Sequence, residues 1–515
     1  MSVDVVISSA CLLEDGVVKS AIAEERLSRN KFDSSYPTRA IERILKDNSL
    51  SIEDIDHIVI PWNPKQHINH ASGRFINSTR WRGELIARVV GKHINDFSLQ
   101  TDSELNVEFD DTRITFINHH DAHFANAYLM SGFQDSIVLT IDGRGETEST
   151  ILQYVKNGKQ HMISNVLFPH SIGMFYAAFT DFLGFRPESD EWKVMAIGAI
   201  NKQKKMDNPY IDKIRDMISL IDDSYELDLS LFDFYLFDKK EYYFNEKFEK
   251  KLGIQHLYKG KLTKDHILLA EGVQVVVEEV IDHLITSAYK KTGITNLCIS
   301  GGVAMNSLYN GKITKRHEFI NDVFISSCPD DSGVSIGAAL HKYYEGKDLS
   351  TITVSRQNSN YWGTSYENSE IKEMLDSYKI KYQYLEGETL FEKVAKLIQD
   401  ERLIGWFQGK MEFGQRALGN RSIIATPLGD KIKGLINSAV KFREEFRPFA
   451  PAILEEKAKE YFDFPDEQHV HFMEKVYEFK NVDINKFPAV VHYDNTGRIQ
   501  CVNKDINQSF YKLIK

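Results

Sequence analysis

His119 and His123 stand four residues apart in the stretch ITFINHHDAH, residues 114–123. On a helix that spacing projects both imidazoles from one face, within reach of a single metal ion. Such a pair also caps or lines ordinary helices, so acids elsewhere in the chain carry the weight. Asp142 ends an apolar strand pattern at 137–142, and strand ends are where α/β sheets gather their ligands. The turn Cys328-Pro329-Asp330-Asp331-Ser332-Gly333 supplies another carboxylate, from Asp330 or Asp331, ahead of a helical stretch at 334–344. Two imidazoles with carboxylates suit Fe(II), Mn(II) or Zn(II) better than copper or a metal that favours thiolates.

Other stretches are built for anions. Residues 405–427 read GWFQGKMEFGQRALGNRSIIATP. Gly409, Gly414 and Gly419 free the backbone to bend, and bare N–H groups in such bends form anion-binding concavities. Arg416 and Arg421 add planar forks suited to phosphate or carboxylate oxygens. Lys441, Arg443 and Arg447 crowd the segment VKFREEFRPFAPA, residues 440–452. Its prolines and Phe446 and Phe449 would pin the arginines, although Glu444, Glu445 and Glu455 could equally make it a solvated charged face. Gly301-Gly302 sit between a strand pattern at 296–300 and an expected helix start. Free amides and the helix dipole would there face phosphates.

The elements that must position these groups follow from pattern. Residues 3–25 read as a hairpin turning at Asp15-Gly16, and 37–48 as an amphipathic helix. Residues 55–61 form a short strand, whereas 66–111 are polar and uninformative. A long amphipathic helix covers 265–292, with Asp265 as its N-cap. Residues 403–407 read as a buried strand delivering the Gly-rich loop. The charged, aromatic span 201–260 reads as an insertion or cap. Polar text from Gly346 to Asn360 marks a domain boundary.

At 515 residues the chain exceeds one hydrophobic core, so two or more domains are expected. Its formal charge of −11 argues against bulk nucleic-acid or anionic-membrane binding. Cys11, Cys298, Cys328 and Cys501 are scattered and suggest no disulfide framework. The N-terminal stretch lacks a signal-peptide pattern, and no apolar run reaches about eighteen residues. The expectation is a cytoplasmic protein with neither nucleic acid nor membrane as partner.

Residues 405–427, continued by 440–452, closely resemble the signature of the O-carbamoyltransferases, the family of nodulation, tobramycin and cephem carbamoyltransferases. Further resemblance lies in Glu24-Glu25-Arg26-Leu27-Ser28-Arg29 with Lys31, in 169–193, in Gly301-Gly302-Val303-Ala304-Met305-Asn306, and in 492–500. It implies an α/β architecture: an actin-like (ASKHA) Kae-type domain over 1–350, then an incomplete YrdC-like α/β domain over 360–515. It implies ATP-dependent transfer of a carbamoyl group from carbamoyl phosphate, through carbamoyl-adenylate, to an acceptor hydroxyl on a small molecule or sugar. Motif by motif, it assigns a divalent metal to His119, His123, Asp142 and Asp331, with Fe ahead of Mn or Zn. It assigns ATP to Glu191, Lys193, Gly301, Gly302 and Asn306. Carbamoyl-phosphate chemistry falls to Arg416, Lys441, Arg443, Arg447, His492 and Arg498.

The chain departs from the family pattern in two places. The family's His-Asp-Ser loop is replaced by Ile7-Ser8-Ser9 running straight into Ala10-Cys11. The Asn-Thr-Ser-Phe-Asn segment that completes the YrdC-like domain has no counterpart before Lys515. A protein partner or a second copy supplying that segment is therefore an expectation. The alternative reading is a catalytically impaired nucleotide-binding homologue that acts with such a partner. A kinase or a tRNA threonylcarbamoyl transferase on the same fold is disfavoured by the net charge and by the 405–427 signature.

Overall fold

The computed structural model describes residues 7–63, 113–236, 240–258, 262–352, 355–429, 431–437, 449–465, 470–480 and 482–515. Lys441, Arg443, Arg447 and the stretch 66–111 lie outside the described residues. The chain divides into two units, residues 1–306 with 313–357 and residues 307–312 with 358–515. Both mix helices and strands.

In the first unit, Ser9–Glu14 (β1) and Val17–Ala23 (β2) form an antiparallel hairpin. Its turn places Asp15 and Gly16 at φ 50° and 81°, the left-handed pair a two-residue hairpin needs. Thr38–Asp47 (α1) buries Ala40 and Ile44. Ile58–Ile60 (β3) pairs in parallel with Ile114–Phe116 (β4), which leads into His119–Tyr128 (α2). Every residue of α2 except Asp121 is buried.

The main sheet starts with Ser136–Ile141 (β5), Glu148–Lys156 (β6) and Lys159–Leu167 (β7), each antiparallel to the next. Helices Ile172–Phe182 (α3), Glu191–Lys204 (α4) and Lys264–Thr292 (α5) follow. Asn296–Ser300 (β8) then joins parallel to β5, and Asp322–Ile325 (β9) parallel to β8, giving the order β9-β8-β5-β6-β7. Because β5, β8 and β9 run parallel, their C-terminal ends emerge on one edge. β5 is buried along its whole length, which explains why its text, SIVLTI, is mostly apolar and does not alternate. Val334–Tyr344 (α6) packs on α2. A Cβ at Gly337 of α6 would lie 1.9 Å from the Ala122 carbonyl oxygen, so only glycine permits this approach.

Local chemistry corrects two readings here. α5 is capped by Thr263, not Asp265: the Thr263 hydroxyl accepts from the His266 N–H, and the His266 side chain answers the Thr263 N–H. Thr263 has the extended backbone an N-cap requires, whereas Asp265 already lies inside the helix. Gly301-Gly302 leads into a single 3₁₀ turn, Gly302–Met305, rather than an α-helix start. The span 201–260 builds an aromatic layer in which Phe232, Phe244 and Phe248 pack on Phe175, Phe179 and Phe182 of α3.

In the second unit, Asn368–Ser377 (α7) and Glu388–Gln399 (α8) precede Ile404–Phe407 (β10), which pairs antiparallel with Arg421–Ile424 (β11). Ala452–Leu454 (β12), Phe462–Asp463 (β13), Val476–Phe479 (β14), Thr496–Arg498 (β15) and Gln500–Val502 (β16) follow. β12 pairs in parallel with β16, while β13, β14 and β15 form a three-stranded antiparallel sheet. Gln508–Ile514 (α9) brings Phe510 and Leu513 onto Trp406, Val394 and Val502. Of β10 only Trp406 is buried, with Gly405 and Phe407 exposed. The expected buried strand is thus a half-buried one, because a two-stranded sheet here turns a single face to the core.

Between α7 and α8, residues 380–386 run without turn or bend. Among the described residues, none of 381–386 makes a backbone hydrogen bond. Ile380, Tyr382 and Tyr384 alternate along the segment, 50%, 45% and 63% exposed.

Candidate active site

α2 and the parallel strand ends bring His119, His123, Asp142 and Asp331 together. One ligand atom from each lies within 4.8 Å of all the others. His119 Nε2 is 3.0 Å from Asp142 Oδ2 and 3.3 Å from Asp331 Oδ1. His123 Nε2 is 3.3 Å from Asp331 Oδ1, 3.5 Å from Asp142 Oδ2 and 3.1 Å from His119 Nε2. Burial presses the His119 imidazolium down, yet the facing Asp142 and Asp331 carboxylates outweigh it and hold the group well above its ordinary value. The same pairing draws Asp142 to about 2, against burial and the nearby Asp331. A set of two imidazoles and two carboxylates, buried except for half-buried Asp331 and without a thiolate, fits a divalent ion of the Fe, Mn or Zn class. Of the two acids left open at the turn, Asp331 joins this cluster, whereas Asp330 Oδ1 accepts from the Ser332 hydroxyl.

Neighbouring groups orient each member. His123 Nδ1 lies 3.1 Å from Ser300 Oγ, and that hydroxyl donates to the Pro329 carbonyl at 3.1 Å. With its one hydrogen spent, Ser300 accepts from His123 Nδ1–H, and Nε2 turns its lone pair to the cluster. Gly302 N–H donates to Asp142 Oδ1 at 2.7 Å, leaving Oδ2 for the histidines. Both oxygens of buried Glu146 accept from the His119 N–H at 3.0 Å, and one also takes the Asn63 N–H at 2.6 Å. Glu146 therefore serves as the cap for α2 that Asn118 does not provide. Asn126 Nδ2 bonds Ser326 Oγ and the Cys328 carbonyl, tying α2 to the turn that bears Asp331.

The sequence reading missed Ser300, Glu146 and Asn126. Asn126 was within reach of it, since it follows His119 by seven residues on the same helical face. His120, between the two cluster histidines, faces away: its Nε2–H donates to the Glu148 carbonyl while Nδ1 meets Thr140 Oγ1. Burial pushes it to about 3, so it stays neutral.

The residues assigned to nucleotide occupy three places. Gly301 has φ 96°, and a Cβ there would sit 2.2 Å from the Ile141 carbonyl oxygen. Against the expectation of free amides, Gly301 N–H donates to the Pro329 carbonyl and Gly302 N–H to Asp142, each at 2.7 Å. Asn306 and Gln274 pair amide to amide, at 3.1 and 3.2 Å. Glu191 and Lys193 open α4. Glu191 Oε1 accepts from the Glu188 N–H at 2.7 Å, and burial pushes its carboxyl up to about 7. Buried Lys193 reaches Asp190 at 2.9 Å.

In the second unit the Gly-rich loop differs from its sequence reading. Three of its amides are not bare: Glu412 Oε1 accepts from Leu418, Asn420 and Arg421 N–H at 2.7, 2.8 and 3.0 Å. The chain fills that concavity with its own carboxylate. Half-buried Arg416 lies on this loop and Arg498 on β15. Thr496 donates its hydroxyl to Asp494 at 2.6 Å, so His492 Nδ1–H must donate to Thr496 Oγ1 at 2.9 Å. Burial pushes His492 down to about 4 despite Asp494, with Arg498 and Lys433 pressing the same way.

Family comparison matches residues 6–340 to the carbamoyltransferase N-terminus and residues 395–515 to the carbamoyltransferase C-terminus. The chain is 31% identical to an uncharacterized Synechocystis protein, sll1178, over 99% of this chain and 86% of that one. It is 31% identical to nodulation protein NolNO of Sinorhizobium fredii, over 98% and 71% respectively. Nodulation protein NolO of Bradyrhizobium diazoefficiens is 32% identical over 77% of this chain and 69% of its own. Among solved structures, a 2-hydroxyisocaproyl-CoA dehydratase activator from Clostridium difficile aligns over 75% of this chain and 98% of its own. At 12% identity and a TM-score of 0.32 it carries no argument about fold.

Proposed function

The chain belongs to the carbamoyltransferase family, and from that premise we propose how it moves the carbamoyl group. Carbamoyl phosphate, water and ATP yield carbamoyl-adenylate, phosphate and pyrophosphate in a YrdC-like domain over 360–515. An acceptor hydroxyl on a small molecule or sugar then attacks the carbamoyl carbon in an actin-like domain over 1–350, releasing AMP. Adenylation replaces a poor electrophile with one whose leaving group is well stabilised. The order of the main sheet, three antiparallel strands and then two parallel ones added beside the first, supports the actin-like reading.

Within this scheme Arg416, Lys441, Arg443, Arg447 and Arg498 hold phosphate oxygens, for which the guanidinium fork is shaped. His492, kept neutral and with Nδ1–H fixed on Thr496, presents Nε2 to accept a proton. Glu191, Lys193, Gly301, Gly302 and Asn306 seat the nucleotide. His119, His123, Asp142 and Asp331 hold a divalent ion, Fe ahead of Mn or Zn, which would supply positive charge beside the mixed anhydride. Ser300 keeps the His123 imidazole aimed at it, and Glu146 caps the helix that carries both histidines.

The observation that carries this reading is the convergence of four donors from three separate segments at the ends of parallel strands. The test is to incubate the purified chain with ATP and carbamoyl phosphate and to measure pyrophosphate. Release that depends on carbamoyl phosphate supports the adenylate route, and ATP left intact in its presence overturns it.

A further inference from the structure

Asp331 differs from the other three donors of the cluster. His119, His123 and Asp142 are buried, two of them in α2 and the third at the end of β5. The Asp331 side chain is 20% exposed and stands in a 3₁₀ turn, Asp331–Gly333. The ladder between β8 and β9 ends at Ile325, so strand pairing does not fix the chain that leads to it.

Side-chain amides take over there. Asn126, buried on α2, spends both hydrogens of its Nδ2, one on Ser326 Oγ at 3.0 Å and one on the Cys328 carbonyl at 2.8 Å. The carbonyl only accepts, so this amide cannot turn over. A Cβ at Gly333 would lie 1.9 Å from that carbonyl oxygen and 2.7 Å from Asn126 Nδ2, so the turn closes directly onto the amide. Ser327, the residue between, belongs to Gln357, whose Oε1 accepts its N–H at 3.2 Å and whose Nε2 donates to its hydroxyl at 2.9 Å. The two amides have different consequences. Gln357 lies on a segment that bears no donor of the cluster. Asn126 lies on the helix that bears both histidines, so its bonds set how far Asp331 stands from them.

We infer that Asn126 is the positioning residue that makes Asp331 a ligand. Through Ser326 and Cys328 it holds the turn where Asp331 Oδ1 stands 3.3 Å from both His119 Nε2 and His123 Nε2. Without it the turn is released, and the cluster falls to His119, His123 and Asp142, a set of two histidines and one carboxylate. This rests on the metal reading of the cluster. Asn126 is no ligand itself and acts on the ion only through Asp331.

The experiment measures Zn(II) affinity of the full chain by competition with a chromophoric chelator. The proteins are wild type, Asn126→Leu, Asp331→Ala and the double variant. Leucine keeps the size of Asn126 without its donors, and Asn126→Ala replaces it if the leucine variant does not fold. Asn126→Leu should weaken Zn(II) binding about tenfold or more, a usual cost of losing a residue that orients a ligand. In the Asp331→Ala background the same change should have no further effect, because the ligand it positions is already gone. A merely structural role would lower the melting temperature of the metal-free protein and weaken binding equally in both backgrounds. Equal losses, or an unchanged affinity in the folded single variant, overturn the inference and leave the metal reading intact. A wild type that binds no Zn(II) overturns both.

Discussion

At the scale of single side chains, His123 is fixed at both ring nitrogens, one held by Ser300 and the other aimed into the cluster. Replacing His119 and His123 together by alanine should abolish bound metal while the far-ultraviolet circular dichroism stays that of wild type. Elemental analysis decides it, and stoichiometric metal in the double variant would sink the assignment. Glu191 gives a pH signature. Its carboxyl moves from an ordinary 4.5 to about 7 through burial, so the folded chain holds a proton that the unfolded chain has lost. Stability should fall as pH rises from 4.5 through 7. Glu191→Gln should flatten that decline, which unfolding midpoints measured across the window would show. A slope identical to wild type refutes it.

At the scale of elements, sequence periodicity carried far where the information was local. The four-residue histidine spacing, the Asp142 strand end and the helix 334–344 were all legible, because each follows from a few neighbouring residues. Glu146 and Ser300 were not. Their partners lie 27 and 177 residues away, and only the sheet order brings them there. Glycine count likewise reported that the 405–427 loop could bend, but not that Glu412 had taken its amides. Glu412→Ala would strand three inward-facing N–H groups and should lower the unfolding free energy by about 1–3 kcal/mol, read by denaturant titration. A shift within error would mean water replaces the carboxylate without loss. Gly337→Ala drives a methyl to within 1.9 Å of the Ala122 carbonyl oxygen, a backbone atom that cannot swing aside. About 1–3 kcal/mol of destabilisation is expected. A melting temperature equal to wild type would show that α6 and α2 can separate freely.

At the scale of the whole molecule, the chain is an α/β carbamoyltransferase whose first unit gathers its candidate donors at one edge of a five-stranded sheet. Among the described residues no helix is long and apolar enough to cross a membrane. The straight run 380–386 bears on a different property, the behaviour of the protein at high concentration. Its backbone offers an open ladder, with apolar side chains on alternate positions, a geometry that invites strands from neighbouring molecules. Lys381 within the run, and Lys379 at the turn just before it, put like charges between the apolar positions, so two molecules approaching through this segment repel before they pair. Replacing both by glutamine leaves the core untouched and removes the repulsion. Light scattering should then rise with protein concentration faster than for wild type, and added salt should narrow the gap by screening the lysines that wild type retains.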